Sequence, residues 1–355
     1  MNTSETTNKP WIAIVGGFLG AGKTTLILAA ARELERRGIR SAIILNDQGD
    51  ALVDTGYATR NGRLTGEVTG GCFCCKLSDL IHVMGELRVH SPDVIFAEPV
   101  GSCTDISATI LHPLLEYREE YRLAPFTVVV DPERATALLS ADADPDVSFL
   151  FRKQLEEADL VCFTKSDLCW DCPAVSAQHV RQISARTGQG IAAWLDEILS
   201  GNLRAGSEIL DIDYEQYARA EAALAWLNLQ VCIEPSIPRS PAMVLGPFLD
   251  HLDAQFTANN ISIVHLKAIV DSPSGFLKAA MCANGREPEV EGALDASPAA
   301  KHDLLLNLRA LGSAARVREI VEQELGRMDG KRIGLHMNCF HPAAPKPERR
   351  MTKAR

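Results

Sequence analysis

Apolar and polar positions follow two different patterns along the chain. In the first 200 residues, short and almost wholly apolar runs such as WIAIVGG and DVIFAE alternate with longer segments of helical periodicity such as TTLILAAARELERR. Strands that are apolar throughout are buried on both faces, and the helices between them provide the crossovers of a parallel sheet. This pattern predicts a doubly wound, mostly parallel α/β domain.

The later pattern indicates a second, smaller domain. Strand-like runs (AALAWLNLQVCIE, ISIVHLKAIVD, GFLKAAMCA, DLLLNLRAL) are combined with two helix-like ones, AMVLGPFLDHLDAQFTA and AARVREIVEQEL. Locally paired strands covered by helices predict an α+β arrangement. We assign residues 1–205 to the α/β domain, 206–218 to a linker, 219–335 to the α+β domain, and 336–355 to a Pro-rich basic tail expected to be poorly ordered.

Composition limits the classes of function. The chain has 355 residues, a net charge of -10, 46% hydrophobic and 23% charged residues, as in ordinary globular proteins. The negative charge argues against nucleic-acid binding. A polar N-terminus and the lack of an apolar run of about 18 residues argue against secretion and a membrane span, so we expect a cytoplasmic protein.

The compartment also bears on the ten cysteines. In the cytoplasm thiols stay mostly reduced, which favours metal or redox roles over a disulfide framework. We expect the isolated cysteines to be buried packing residues: Cys103, Cys162, Cys232 and Cys282.

The segment GFLGAGKT, from Gly17 to Thr24, fits the P-loop pattern GxxxxGK[ST] between an apolar strand and a helix. Glycines let the backbone N–H groups point at phosphate oxygens, and the helix dipole adds to the attraction. Lys23 would neutralise phosphate charge and Thr24 would bind Mg²⁺. The α/β domain is therefore predicted to be a P-loop NTPase whose phosphate cradle comprises Gly17, Gly20, Gly22, Lys23, Thr24 and Thr25.

The segment FTKSDL, residues 163–168, has the [NT]KxD form by which GTPases read guanine, with Thr164 in place of the commoner Asn. Asp167 can accept hydrogen bonds from the ring N–H and the exocyclic amine of guanine, and adenine lacks this pair of donors. The stem of Lys165 would pack over the base. The later segment ISARTGQG is similar to the loop that supports the base in G proteins. The predicted guanine site comprises Thr164, Lys165, Asp167, Ser184 and Ala185.

A third nucleotide element is FAEPVGS. Glu98 ends an apolar strand, where open α/β sheets gather their ligands. We expect it to hold Mg²⁺ through water or to orient the attacking water, with Gly101 sensing the γ-phosphate. The alternative is a carboxylate that only caps the turn at Pro99.

Cys72, Cys74 and Cys75 form a CxCC motif behind two glycines. Thiolates suit Zn²⁺ and, less selectively, Co²⁺, Ni²⁺ or Cu⁺. Three thiols leave a fourth position for another residue, a partner chain or water, and an incomplete shell suits a site that hands its ion on. Redox-active thiols and free cysteines in a turn remain alternatives. The motif lies in the interval where P-loop GTPases place segments that respond to the γ-phosphate, so metal and nucleotide states would be coupled.

Together, GGFLGAGKTT, LNDQGD, EVTGGCFCC, EPVGS and TKSD, in this order, closely resemble the CobW-type GTPases, relatives of HypB and UreG. The resemblance covers the N-terminal 200 residues and implies a metallochaperone or metal insertase with low intrinsic GTPase activity. By this resemblance, Asn46 and Asp47 match the family's Asn-Glu pair near Mg²⁺, with Asp in place of Glu. The catalytic set it implies is Lys23, Asp47 and Glu98. The family's His-rich loop and its common C-terminal Trp and Gly-Asp-Arg element are missing.

The leading hypothesis is a GTPase that delivers Zn²⁺ or Co²⁺ to a client apo-metalloprotein or corrinoid-pathway protein. The alternatives are a GTP-dependent chaperone of a cofactor-dependent partner, with structural thiols, a P-loop kinase, which TKSD argues against, and a metal-storage module, which would not need the P-loop. The sequence leaves open the metal, the client, the role of the second domain and the oligomeric state, a homodimer included. It also leaves open whether Cys169 with Cys172, or Cys339 with His341, bind metal.

Overall fold

The computed structural model describes residues 9–49, 53–60, 62–169 and 171–352. Two compact units divide these residues. The first falls within Met1–Gln48, Asp54–Tyr217 and Pro345–Arg355, and the second within Gly49–Val53 and Ala218–Ala344.

The first unit is built on a parallel sheet. In the described part of the chain its strands are β1 (Trp11–Gly16), β2 (Ser41–Asn46), β3 (Leu64–Val68), β4 (Val94–Glu98), β5 (Arg122–Leu123), β6 (Thr127–Val130), β7 (Leu160–Phe163) and β8 (Val180–Gln182). The order is β3-β2-β4-β1-β6-β7-β8, with β5 beside β1, and the pairings are parallel. This confirms the predicted doubly wound, mostly parallel α/β fold.

Helices between these strands are α1 (Lys23–Arg36), α2 (Val53–Arg60), α3 (Leu77–Arg88), the short α4 (His112–Leu114), α5 (Pro132–Leu139) and α6 (Pro145–Glu156). After β8 come α7 (Ile191–Ile198) and α8 (Tyr214–Ala222), and the boundary between the units falls within α8. A π-helical turn, Ser107–Leu111, precedes α4, and a 3₁₀ turn, Leu115–Tyr117, follows it. Of the helices in the described ranges, none is long and apolar enough to cross a membrane.

The register of the sheet decides where the motifs meet. Asn46 at the end of β2 pairs with Val68 at the end of β3, and the preceding residue, Leu45, pairs with Glu98 at the end of β4. In the next strand Ile14 pairs with Ala97, two residues before β1 ends. Because the strands are parallel, the segments that follow β1, β2, β3 and β4 all leave the same edge of the sheet.

The second unit contains an antiparallel sheet with two helices, which confirms the predicted α+β character. Its described elements are β9 (Leu224–Glu234), α9 (Pro241–Ala258), β10 (Ser262–Ser272), β11 (Gly275–Met281), β12 (Glu289–Gly292), β13 (His302–Leu311), α10 (Ala314–Arg327) and β14 (Lys331–Phe340). The order is β12-β11-β10-β13-β9-β14. One core joins the helices, through residues such as Leu252 of α9 and Val321 of α10, to alternate residues of the sheet such as Leu229 of β9 and Leu306 of β13.

The predicted tail differs from the structure. Residues expected to be poorly ordered from position 336 instead continue β14, which pairs with β9 up to Phe340. Residues 345–352, which we term the C-terminal segment, then lie on the first unit. Prolines at positions 345 and 347 suit extended chain, and the basic side chains find carboxylate partners on an acidic protein. The last three residues of the predicted tail lie outside the described residues.

Candidate functional site

The phosphate cradle forms a tight turn between β1 and α1. Gly17 has φ 131°, and a Cβ atom on it would lie 2.2 Å from the carbonyl oxygen of Val129, so only glycine lets the loop pass β6 this closely. The buried Lys23 side chain folds back over the loop, where its Nζ donates to the carbonyl oxygen of Gly17 at 2.9 Å. The loop thus holds a cation at the N-terminus of α1, an arrangement suited to phosphate.

Carboxylate and hydroxyl groups meet at the base of the cradle. The hydroxyl of Thr24 donates to Oε1 of Glu98 at 3.1 Å, and Nζ of Lys23 lies 3.9 Å from the same oxygen. Thr24 and Glu98 are both buried. A Cβ atom on Gly101 would lie 3.0 Å from Nζ of Lys23, so the loop after β4 passes directly over the lysine. Thr25, in contrast, is exposed on α1.

The predicted guanine site adjoins the cradle. The hydroxyl of Thr164 donates to the carbonyl oxygen of Ala21 at 2.9 Å, which ties the end of β7 to the cradle. Lys165 has a left-handed backbone, φ 54°, and its Nζ lies 3.1 Å from Oδ2 of Asp131, the residue that caps α5. This pairing of Lys165 with Asp131 was not predicted, because the capping role of Asp131 is local and gives no sign of a distant partner.

Asp167 lies between two residues of the ISARTGQG segment. Hydrogen bonds from Ser184, first, and from Arg186 hold the pKa of its carboxyl below the usual value. Arg186 also forms an ion pair with it. Ser184 is buried and Ala185 lies in the turn that follows. The carboxylate is therefore fixed in its charged form, the form that accepts two hydrogen bonds.

Three thiols cluster after β3, at the opposite end of this sheet edge from the guanine site. The Sγ atoms of Cys72, Cys74 and Cys75 lie within 4.8 Å of one another. Cys72 and Cys74 are buried and 2.7 Å apart, and Sγ of Cys75 lies 3.7 Å from that of Cys74. A tetrahedral zinc–thiolate site with Zn–S bonds of about 2.3 Å separates its sulfurs by about 3.8 Å. The Cys74–Cys75 distance matches this geometry, and the Cys72–Cys74 distance would lengthen by about 1 Å around an ion.

A fourth thiol lies at this cluster, contrary to our expectation that Cys103 is an isolated packing residue. Cys103 is buried, and its thiol makes hydrogen bonds with those of Cys72 and Cys74. It follows Glu98 by five residues in the loop after β4. The sequence carries no local signal of this contact, because it depends on the strand order β3-β2-β4, in which the loops after β3 and β4 leave the same edge of the sheet.

The thiols of the cluster share their protons unevenly. Hydrogen bonds from neighbouring thiols, first that of Cys103, lower the pKa of Cys72 well below its ordinary value. Hydrogen bonds with Cys103 and then Cys72 raise the pKa of Cys74 well above it, and the contact with Cys72 is the first cause that raises the pKa of Cys75 to about 11. A divalent ion that binds here must displace the protons that remain on the thiols.

Asn46 connects the end of β2 to the thiol loop. Its Nδ2 donates to the carbonyl oxygens of Val68 at 2.9 Å and Gly71 at 2.7 Å, and its Oδ1 accepts from the backbone N–H of Phe73 at 2.8 Å. The side chain thus braces the cluster. The next residue, Asp47, donates its backbone N–H to the carbonyl oxygen of Val68 at 3.2 Å.

The C-terminal segment covers the other side of the cluster. The backbone N–H of Lys346 donates to Sγ of Cys75 at 3.2 Å, and that of Glu348 donates to the carbonyl oxygen of Cys74 at 3.0 Å. The Glu348 carboxylate accepts from the N–H of Ser78 at 3.0 Å and from its hydroxyl at 2.6 Å. The segment therefore contacts the thiol loop through both its backbone and a side chain.

Further along, the same segment reaches the loop that carries Cys103. Nε of Arg350 donates to Oδ2 of Asp105 at 2.7 Å, and the backbone N–H of Met351 donates to the carbonyl oxygen of Ala108 at 2.9 Å. Arg349 forms two hydrogen bonds of 2.7 Å with the carboxylate of Glu116. The C-terminal segment thus contacts the loops after both β3 and β4.

The remaining candidate ligands make local contacts. Cys169 donates to the carbonyl oxygen of Asp171 at 3.5 Å, and Cys172 accepts from Gln182 at 3.5 Å. In the second unit, Cys339 and His341 both bond the backbone of Ala314 at the start of α10, and His341 also contacts Leu224. These contacts give Cys339 and His341 a structural role in joining β14 to α10.

Comparison with known proteins identifies the relatives of this site. The sequence model of the family described as CobW/HypB/UreG, nucleotide-binding domain, matches residues 11–189. The chain belongs to the CobW/HypB/UreG family. This confirms the resemblance inferred from the motifs, and the matched range includes the phosphate cradle, the thiol cluster and the guanine loop.

Individual relatives match over part of their length. The chain is 30% identical over 202 residues to the zinc chaperone CobW of Sinorhizobium sp, covering 50% of this chain and 56% of that protein. It is 29% identical over 162 residues to the zinc chaperone YeiR of Escherichia coli K12, covering 43% of this chain and 46% of that protein. The chain thus spans about half the length of these curated relatives.

Among solved structures, HypB of Helicobacter pylori in complex with nickel matches with 13% identity and a TM-score of 0.42, covering 57% of this chain and 93% of that one. A sequence identity and a TM-score this low carry no argument about function.

Proposed function

We propose that this protein is a GTP-hydrolysing metallochaperone that carries Zn²⁺ or Co²⁺ on the thiol cluster and delivers it to a client apo-metalloprotein. The observation that carries the proposal is the position of the cluster. Three thiols within 4.8 Å of one another lie at the same sheet edge as the phosphate cradle, and Asn46 bonds to their loop one residue before Asp47.

The choice of cargo follows from the donor set. Soft thiolates favour Zn²⁺ over hard cations such as Mg²⁺, and Zn²⁺ binds such sites more tightly than Co²⁺. The two relatives compared above are zinc chaperones, which supports zinc as the first candidate for this chain. Each coordinating thiol loses its proton to solvent as the ion binds.

The nucleotide half of the proposal rests on three contacts. Lys23, which bonds to the cradle backbone, would pair with the β- and γ-phosphates, and Asp167 would accept from the two guanine donors. The buried oxygens of Thr24 and Glu98, 3.1 Å apart, fit Mg²⁺, which prefers oxygen ligands. Such an ion would neutralise charge on the phosphates. Asp47 and Glu98 are then the candidates to orient the attacking water.

A second function is favoured by one observation. Cys72 and Cys74 are buried, and the C-terminal segment covers their loop, as in a closed structural site. The protein would then be a GTP-dependent chaperone of a cofactor-dependent partner, for example a corrinoid protein. In that case GTP turnover would respond to the partner and not to added metal.

The test compares two cysteine variants of the full reduced protein. Zinc affinity is measured by competition with a chelator, and GTP affinity by fluorescence titration. We expect Cys74→Ser to lose tight zinc binding with GTP affinity retained. Cys232→Ser, a half-buried thiol of β9, is the matched control and should bind zinc as the wild type does. Equal zinc affinity in Cys74→Ser and the wild type would reject the metallochaperone proposal.

A further inference from the structure

The thiol motif alone leaves the metal shell incomplete. It supplies three sulfurs, and the fourth ligand of a tetrahedral ion must come from elsewhere. The contacts of the cluster point to one further side chain. The Cys103 thiol makes hydrogen bonds with two of the three cluster thiols, Cys72 and Cys74, and is itself 3% exposed.

The loop that carries Cys103 is fixed in place. Nε2 of Gln154 donates to the carbonyl oxygen of Gly101 at 3.0 Å and to that of Cys103 at 2.9 Å. The backbone N–H of Cys103 donates to the carbonyl oxygen of Val100 at 3.0 Å, and Asp105 is held by Tyr214 at 2.6 Å as well as by Arg350. The thiol therefore approaches the cluster from a defined turn.

We propose that Cys103 is the fourth thiolate ligand, so that four cysteine sulfurs surround the cargo ion. The inference rests on the proposed function, because it adds a ligand to the same metal site. Four sulfurs around Zn²⁺ form a closed shell, and each thiol that coordinates releases its proton to solvent. The ion would join the loop after β3 to the loop after β4.

This assignment provides a physical route from nucleotide to metal. Cys103 lies two residues beyond Gly101, whose backbone passes over Lys23 in the phosphate cradle. A shift of that loop with the γ-phosphate would move Cys103 relative to the other three sulfurs. Release of the ion then requires the loss of one sulfur ligand, and Cys103 is the one attached to the nucleotide loop.

The test counts sulfur ligands directly. The full chain is reduced, loaded with one equivalent of Zn²⁺ and measured by X-ray absorption at the zinc edge. Thiolate-to-metal charge-transfer absorption of the Co²⁺ form is measured in parallel, and zinc affinity by chelator competition. The variants are Cys103→Ser and, as matched control, Cys162→Ser, a buried thiol in β7 of the same sheet.

We expect four sulfurs in the wild type and in Cys162→Ser, and three sulfurs with one oxygen or nitrogen in Cys103→Ser. Zinc affinity in Cys103→Ser should fall by at least about tenfold, the effect reached even by removing outer-shell partners. The number of sulfur ligands in the wild type is measured without any variant. It therefore tests the Cys103 assignment even if Cys103→Ser does not fold. Three sulfurs in the wild type would overturn the Cys103 assignment but leave the proposed function intact. Zinc bound without sulfur, or not bound, would overturn both.

Discussion

The guanine site and the thiol cluster lie on one sheet edge but are assembled differently. At the guanine site, Lys165 and Asp167 come from a single short motif, and Ser184 and Arg186 come from one further turn. The thiol cluster draws on four stretches of chain: the end of β2, the loop after β3, the loop after β4 and the C-terminal segment.

The difference shows how each site would respond to change. A site made by two short stretches can fail at one residue without affecting its surroundings. A cluster braced by four segments moves when any of them moves, which suits a metal site that must respond to nucleotide. The following variants separate the two behaviours.

The largest effect is expected for Lys23→Ala. Removing a buried, hydrogen-bonded charge that pairs with phosphate costs about 2–5 kcal/mol, so GTP affinity should fall by roughly thirtyfold or more. Zinc affinity without nucleotide should stay at the wild-type value, because Lys23 bonds to Gly17 and pairs with Glu98 in the phosphate cradle. Both affinities are measured by titration, with Lys153→Ala, a partly buried lysine of α6, as control. A loss of zinc binding in nucleotide-free Lys23→Ala would contradict the separation of the two sites.

Asp167→Ala should remove the preference for guanine. A hydrogen bond to a charged group is worth about 1.5–3 kcal/mol, and inosine lacks the exocyclic amine of guanine. The wild type should therefore prefer GTP over ITP by about tenfold or more, and the variant should bind both equally. Competition titrations with the two nucleotides measure the ratio. Asp171→Ala removes a neighbouring carboxylate and should keep the preference. A retained preference in Asp167→Ala would place guanine recognition elsewhere.

Asn46→Ala should affect the thiol cluster and leave the guanine site unchanged. The substitution leaves the N–H of Phe73 and the carbonyl oxygens of Val68 and Gly71 without this partner. Such unsatisfied buried groups cost about 1–3 kcal/mol. We expect zinc affinity to fall by about tenfold with the GTP-over-ITP ratio preserved, measured beside the exposed control Asn202→Ala. Unchanged zinc affinity would mean that Asn46 does not brace the metal site.

The smallest effect is expected from removing residues 345–355. This change removes the N–H of Lys346 that contacts Cys75 and the bonds of Glu348 to the thiol loop. The contacts with the thiol loop are exposed and contribute about 0–1 kcal/mol each, while loss of the Arg350 pair with the buried Asp105 costs more in the loop after β4. Alkylation of Cys75, which lies in the loop after β3, should therefore accelerate only a few-fold. Mass spectrometry of iodoacetamide-treated protein measures the rate. Arg349→Ala removes only the pair with Glu116 and should alkylate at the wild-type rate. An unchanged rate in the truncated protein would show that the segment does not shield the thiol.

Much of this organisation could be predicted from the sequence, because it is local. Apolar runs identified the central strands of both sheets but not the polar or short strands β3, β5, β8, β12 and β14. The cradle from Gly17 to Thr24 fits a contiguous pattern that needs its strand and helix context. The roles assigned to individual site residues remain predictions for the variants above to test.

The contacts that were missed depend on topology. Cys103 looks isolated in the sequence, and only the parallel register of β2, β3 and β4 brings its loop to the CxCC motif. The C-terminal segment looks like a tail because its composition is Pro-rich and basic, yet Arg350 finds Asp105 some 245 residues away. Composition shows that such a segment cannot form a helix or a core, but it does not show which acidic surface it will meet.

The central claim is that the nucleotide state changes the metal site. It is tested by chelator-competition titration of Zn²⁺ against the reduced full chain with Mg–GTP analogue, with Mg–GDP and without nucleotide. The account predicts that zinc affinity differs by at least tenfold between nucleotide states, a coupling of about 1.4 kcal/mol, and that Cys74→Ser abolishes the difference. Tight zinc binding with the same affinity in all three states would contradict it.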